Sequence, residues 1–500
     1  MEHFFRDHQR KVKVLQASAI FLFFAALGPS ALAADQKASQ TASSLDFANG
    51  LYARKMYGPA ITEYEKFLRS NPGSPEAAAA RFRYADAHYF SKDYAGAIAH
   101  FELFLKTYPE DKRVPLANFR MSTARYYQGD RARAIRGFVR LAATAQDPLI
   151  RCGAKFYLAK SLESKGQEEK GLRLLEKLVK ESPQNEYASY AGVSIGDHHL
   201  RNGNFGGALH GYLITAVNQN PSDLTRLARF KVAEIHFSQK NYSEAAGFYQ
   251  KVFKESPKKM TDDLKMKSLL GLFYCDYNIS DLAGAERRLS ENRPLVESSA
   301  YLSEILFLLA SLQADGKKYE ESLKNLDEIL LDKNSDETLR EKAGFKKVSV
   351  LSQKGEKDLS LKELEKIFTG TSKSADRALF EKAELLAEIG KTDDALAAYQ
   401  QVVQQYPDSE YAKNALYRSA IARMKAGQTD AAKADLKEYA LHHSLDPNAD
   451  LALLQIVQID LDAKKFNEAF EAAEKFIKEH SSSPILDIAY YKLGVAATGS

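Results

Sequence analysis

The chain has 500 residues, 45% of them hydrophobic and 27% charged. That composition excludes a disordered polymer and leaves room for several small domains or one extended repeat array. The formal charge is +4, with Lys and Arg interspersed among Asp and Glu, so the concentrated basic stripe of a nucleic-acid-binding domain is absent.

In chain order, the first feature is a basic and then apolar start. Arg6, Arg10, Lys11 and Lys13 precede an apolar run from Val14 to Leu27, and Gly28, Pro29 and Ala31-Leu32-Ala33 follow. This is the pattern of a secretory signal peptide over residues 1–33. The run is about fourteen residues, where a spanning helix needs about twenty, so no stable membrane insertion is expected after cleavage before Ala34. No Cys stands near that point for lipid attachment. Removing the segment takes away four basic and two acidic residues and leaves +2. Residues 34–44 are small and polar, and read as a flexible lead.

From residue 45 onward one unit recurs. Its clearest copy begins ALFEKAELLAEIGKTDDALAAYQQVVQQYPDSEYA, from Ala378. Leu379, Phe380, Ala383, Leu386 and Ala387 lie on one face of a helix that Gly390 can close. Thr392 is placed to cap a second helix, whose buried stripe is Ala395, Leu396, Tyr399, Val402, Val403 and Tyr406, with Pro407 as its stop. The small residue opening each second helix falls at Ala60, Ala97, Ala134, Gly171, Ala208, Ala245, Ala285, Ser322, Ser360, Ala395, Ala432 and Ala469. The steps are 37 five times, then 40, 37, 38, 35, 37 and 37. Twelve units in near-constant register define a repeat architecture.

Other positions keep the same interval. Twelve residues before the marker stands another small residue, as at Ala48, Ala85, Ser122, Ala159 and Gly196, with Phe273, Val348 and Val457 as exceptions. Twelve residues after it stands Pro72, Pro109, Pro183, Pro257 or Pro407, and the turn between helices carries Gly129, Gly166, Gly203, Gly316, Gly355, Gly390 and Gly427. The irregular steps span PKKMTDDLKMK (257–267) and TGTSKSA (369–375), either of which would bend the array. The first divides it into segments 45–260 and 261–500. Ile488, Tyr491 and Gly494 match the first helix of a thirteenth unit, left unpaired at the end.

Small residue, turn Gly, an aromatic such as Tyr94, Tyr242 or Tyr319, then Ala-Ile or Ala-Leu, an aromatic four on, and Pro: this pattern resembles the tetratricopeptide repeat. The resemblance covers residues 45–500 and implies an all-α, right-handed superhelical solenoid of about twelve antiparallel helix pairs. Tyr406-Pro407-Asp408-Ser409-Glu410-Tyr411-Ala412 is similar to the longer repeats of exported bacterial members, among them the outer-membrane assembly lipoprotein and the Tol–Pal-associated division coordinator. The chain departs from both, having no Trp, no lipoprotein Cys and no N-terminal coiled-coil heptads.

Catalytic signatures are missing. There is no HExxH, no GxSxG and no dinucleotide glycine fingerprint, and none of the six Met is followed by Gln as in a lytic transglycosylase. Gly390-Lys391-Thr392 lacks the Gly that a phosphate loop needs five residues earlier, where Leu385 stands, and it joins two helices. His88, His199 and His236 share one repeat position, but a metal site needs a third or fourth ligand, so packing is the expected role. Cys152 and Cys275 are more than three units apart, beyond the roughly 7 Å reach of a disulfide, and are expected as buried free thiols. No catalytic residue, metal or cofactor is expected.

The best binding candidate is aromatic. Tyr52, Tyr89 and Tyr126 recur every 37 residues on the first helix, continued by Phe237 and Tyr277. Resemblance places that helix on the concave groove, where a ring ladder takes a partner segment. A second row, Phe82, Phe119, Phe156, Phe230, Phe307, Phe345, Phe380 and Tyr417, is expected in the core. The expected function is a non-enzymatic scaffold in the periplasm that binds other envelope proteins and associates with the outer membrane through them, without nucleic acid or small-molecule substrate. The alternatives are the helical domain of a peptidoglycan-cleaving lytic transglycosylase, or the periplasmic adaptor of an exopolysaccharide or protein secretion system.

Overall fold

A computed structural model describes residues 44–217, 222–255, 263–297, 299–367 and 374–499. The expected signal peptide, nearly all of the lead, Pro257 and most of the 369–375 loop lie outside the described residues. All regular structure among the described residues is helical. The first helix, α1, covers 44–53. It is followed by α2 (Tyr57–Ser70), α3 (Ala77–Phe90), α4 (Tyr94–Thr107), α5 (Val114–Gln128), α6 (Arg131–Thr144), α7 (Pro148–Glu163), α8 (Glu168–Glu181), α9 (Glu186–Arg201), α10 (Phe205–Ala216), α11 (Asp223–Ser238), α12 (Tyr242–Glu255) and α13 (Asp263–Asn278). Then come α14 (Leu282–Val296), α15 (Leu302–Asp315), α16 (Tyr319–Leu331), α17 (Glu337–Lys354), α18 (Lys357–Ile367), α19 (Ala375–Glu388), α20 (Thr392–Gln405), α21 (Glu410–Lys425), α22 (Thr429–His442), α23 (Pro447–Asp462), α24 (Phe466–Glu479) and α25 (Leu486–Gly499). The chain forms two compact units, one ending at Arg229 and one beginning at Phe230.

Within each unit successive helices pack as neighbours, so every hairpin is antiparallel. The small residues explain why they approach so closely. Ala60, Ala97, Ala134, Ala208, Ala245, Ala285, Ala395, Ala432 and Ala469 are fully buried, as are Ala48, Ala85, Ala159, Ala233, Ala310, Ala383 and Ala420 twelve residues before markers. Two markers are Ser, and each satisfies its hydroxyl on the opposing small-residue position. Ser322 Oγ donates to Ala310 O at 2.7 Å, and Ser360 Oγ to Val348 O at 2.8 Å, which removes the cost of burying a lone hydroxyl. The tightest pair is α9 with α10, where a Cβ on Gly211 would lie 2.4 Å from Gly196 N.

The turn between the helices of a pair has one geometry in all twelve repeats. A left-handed residue stands five positions before each marker: Lys55, Lys92, Gly129, Gly166, Gly203, Lys240, Ser280, Lys317, Gly355, Gly390, Gly427 and Lys464. Six of these are not Gly, so stack register imposes the conformation where residue preference opposes it. Two expectations are corrected here. Gly316 has φ −78 and its neighbour Lys317 makes the turn. Thr392 is the first helical residue; Lys391 holds the cap position and makes no side-chain cap bond. True caps at the equivalent position are Asp93, Asp130, Asn204 and Asp281, whose side chains accept a backbone N–H three residues on.

Odd-numbered helices also touch the next odd-numbered helix, as α3 with α5, α5 with α7 and α7 with α9, and in the second unit α13 with α15 and α19 with α21; even-numbered helices do not approach one another as closely. Within each unit the odd-numbered helices therefore form the more closely packed layer.

Candidate functional site

The site grows from one repeat position. Four residues after the marker stands a buried anchor that is aromatic in Tyr64, Phe101, Phe138, Tyr212, Tyr249 and Tyr399. In three of the four Tyr anchors the hydroxyl donates back to a polar side chain on the preceding odd helix: Tyr64 to Asn49 at 2.8 Å, Tyr212 to Asp197 at 2.6 Å, and Tyr399 to Glu384. In the second repeat that polar position is Asp86, 5% exposed, but the anchor is Phe101, which has no hydroxyl to give. Asp86 meets groups from the neighbouring repeats instead, one by a hydrogen bond and one as an ion pair. Tyr52 Oη donates to its Oδ2 at 2.7 Å, and Arg120 Nε lies 3.1 Å from its Oδ1. Three consecutive odd helices, α1, α3 and α5, are thereby tied together.

Burial, followed by the adjacent Asp86 carboxylate, pushes the Tyr52 phenol far above its ordinary value, so it remains a donor. Burial likewise raises the Asp86 carboxyl, opposed by Arg120 and the Tyr52 hydrogen bond. The Arg120 guanidinium also lies 5.1 Å from the Tyr89 ring centroid and 4.9 Å from that of Phe90, a cation–π arrangement on two faces. Burial pushes Tyr187 up to about 12, with Arg120 pulling the other way. Tyr126 packs edge-on to Tyr157 at 5.6 Å, and Arg131 sits over its ring at 4.3 Å.

The predicted row is thus held in place and half-buried: Tyr52, Tyr89 and Tyr126 each pack at the margin of a core cluster in the first unit. Phe237 and Tyr277 belong to the second unit. Phe237 packs edge-on to Tyr242 and Tyr274, and Tyr277 is 39% exposed. In the first unit the open rings are a different set that includes, beside Phe47, Tyr190 and Phe205, the pair Phe90 at 38% and Tyr127 at 47% exposure. They stack on Tyr57 and Tyr94. A signal for them was present, since 57 to 94 and 90 to 127 are both steps of 37. The Phe row is core as expected, with Phe82, Phe119, Phe230 and Phe345 buried and Phe156, Phe307, Phe380 and Tyr417 packed against core clusters.

Charge separates the units. Residues 44–229 hold 27 Lys and Arg against 19 Asp and Glu, or +8, whereas residues 230–500 hold 38 against 44, or −6. The histidines are local: His88 Nδ1 contacts the capping Asp93 at 2.7 Å, and His236 stacks on Phe248. Among the described residues no group of three His, Cys, Asp or Glu is placed to hold a metal. Cys152 and Cys275 are both buried and free, and burial pushes the Cys275 thiol up to about 12. Among the described residues no helix is long and apolar enough to cross a membrane.

These features define a class first, a helical-hairpin repeat protein. Family models then give the kind of repeat. Tetratricopeptide-repeat models match residues 45–112, 377–409 and 414–443, and a tetratricopeptide repeat-like domain model matches 151–269. The chain carries tetratricopeptide repeats. None of the curated proteins compared with it matches. Among solved structures, it is similar to the C-terminal part of a TPR repeat-containing protein from Cytophaga hutchinsonii, with 17% identity over 52% of this chain and 97% of that one and a TM-score of 0.39. It is also similar to the APC/C hetero-tetramer Cut9-Hcn1 (12% identity, 90% and 95% covered, TM-score 0.33) and to yeast Tom70 (13% identity, 93% and 96% covered, TM-score 0.31).

Proposed function

We propose that this chain is an exported protein–protein interaction scaffold of the bacterial cell envelope, working in the periplasm by binding alone. The basic, apolar start of the sequence supports export. The observation that carries the binding reading is the Tyr52–Asp86–Arg120 network, which ties three consecutive odd helices together and holds the Arg120 guanidinium against the rings of Tyr89 and Phe90. Rings whose rotamers are already restrained lose less entropy when a partner covers them, and a cluster of Tyr, Phe and Arg has the composition of an interaction hot spot. Phe237 and Tyr277 offer a smaller aromatic surface on the second unit. The partners are other envelope proteins, through which the chain associates with the outer membrane.

Crosslinking in the native envelope, followed by recovery on the chain carrying Tyr52→Ala, Tyr89→Ala and Tyr126→Ala, tests this reading. Selective loss of the wild-type partners is expected. Equal recovery of every partner would sink the site assignment.

A further inference from the structure

The edge of the first unit where odd helices end and even helices begin repeats one contact three times. In each case the first residue of an even helix meets the last turn, or the cap, of the next odd helix. Tyr57 stacks on Phe90 with ring centroids 5.4 Å apart and planes 19° from parallel, and Tyr94 stacks on Tyr127 at 5.3 Å and 20°. At the third position the rings give way to polar groups, and Arg131 Nε donates to Ser164 Oγ at 3.1 Å. Arg131 is further fixed over Tyr126. Unlike Arg120, Arg125 and Arg133, which face Asp86, Glu102 and Asp130, Arg131 has no carboxylate partner among the described residues.

We infer that this edge reads an extended, acidic segment of a partner protein, with two apolar side chains three residues apart and a carboxylate three residues beyond. The inference rests on the reading of the chain as a partner-binding scaffold and names the chemistry of the partner. The spacing follows from packing. Helices in contact lie about 8–10 Å apart, and an extended chain advances about 3.3 Å per residue, so one step along the edge equals about three residues. Each stacked pair offers a flat platform with an open ring, and the third slot offers an unneutralised guanidinium. The excess of eight positive charges over residues 44–229 favours an acidic strand and speeds its encounter. A helical segment would need six or seven residues per step at about 1.5 Å each. Spanning three slots would then require ordering a helix of about fourteen residues, which is marginal in water.

Fluorescence anisotropy on the whole chain with labelled synthetic peptides tests the register. One peptide carries Phe-x-x-Phe-x-x-Glu in an acidic, otherwise Ser- and Asp-rich background, and a second carries the reversed order, which settles the direction of binding. Controls change the Phe spacing to two residues, or place the three anchors seven residues apart in a helix-forming sequence. One of the two matched peptides is expected to bind about ten-fold or more tightly than either control. Arg131→Glu should weaken it about ten-fold, the scale of one charged hydrogen bond, and replacing the peptide Glu by Lys should restore binding to that variant. Phe90→Ser and Tyr127→Ser should each weaken it several-fold. Both sites are partly exposed, so unchanged circular dichroism melts are expected and show that folding is intact. Equal affinity across spacings, preference for the seven-residue helix, indifference to Arg131→Glu, or no binding by either matched peptide overturns the inference. If the peptide series fails while native partners still depend on Tyr52, Tyr89 and Tyr126, the edge reading alone is lost. If both fail, the scaffold reading goes with it.

Discussion

The two units use one backbone plan and spend their variable positions differently. At the edge contact, the first unit places Tyr57 on Phe90 and Tyr94 on Tyr127; at one equivalent contact in the second unit Lys357 pairs with Glu388 at 2.7 Å. The anchor four residues after the marker shows a milder contrast, being aromatic in four of the first unit's five repeats, with Leu175 the exception, and in two of the second unit's seven, Tyr249 and Tyr399, where Leu289, Leu326, Leu364, Leu436 and Ala473 fill the rest. Neither change disturbs the left-handed turns or the buried small residues. What differs is the surface offered, aromatic and basic in one unit, mixed-charge and acidic in the other. Positions that hold helices together are constrained by distance, and positions that face solvent are free to be chosen for recognition.

The comparison can be broken most severely inside the first unit. Gly211→Ala would set a Cβ 2.4 Å from Gly196 N, and because the clash is with backbone its cost should reach about 3 kcal/mol. Hydrogen exchange should show lost protection in α9 and α10 with α19 to α22 unaffected, since a repeat contacts only its neighbours. Asp86→Ala comes next. It leaves Arg120 without its counter-ion and the Tyr52 hydroxyl without its acceptor, at a cost of about 2 kcal/mol, measurable by denaturant titration. Lys357→Ala, which removes one member of the exposed pair of the second unit, should cost less than about 0.5 kcal/mol in the same titration.

A pH titration sharpens the same contrast by sign. Burial raises the Asp86 carboxyl above its ordinary range. Its folded state therefore binds a proton more readily than its unfolded state, and wild type gains on Asp86→Asn as pH falls into the carboxylate range. Asp111 behaves oppositely. Its hydrogen bonds from Arg113 hold it at about 2 against the cost of burial, so the stability it supplies is present above the ordinary carboxylate value and is lost as pH falls towards 2. Wild type should therefore lose on Asp111→Asn over that interval. Parallel slopes for the two variants would refute the assignment of opposite environments.

The turns carry effects between those of Asp86→Ala and Lys357→Ala. Lys92 has φ 66 and Gly129 has φ 95 at the same repeat position. Lys92→Gly should raise stability by about 1 kcal/mol and Gly129→Ala lower it by a similar amount, both read from thermal melts.

The period, the buried small residues and the Pro stops were legible in sequence because each depends on one residue type repeated at one interval. The turn was half legible, since Gly marks only six of its twelve left-handed positions and Lys or Ser fills the rest. Tyr52, Tyr89 and Tyr126 could be picked out as a row, but not the reason they are held. Asp86 meets Tyr52 and Arg120 from 34 residues away in each direction, and it turns to them because Phe101 lacks the hydroxyl that Tyr supplies elsewhere. Sequence alone determined an all-α array, its repeat length and its hairpin contacts, all of which follow from helical periodicity and side-chain size. Tertiary structure decided which rings stay open and which charges are paired, because those depend on where residues of neighbouring repeats meet.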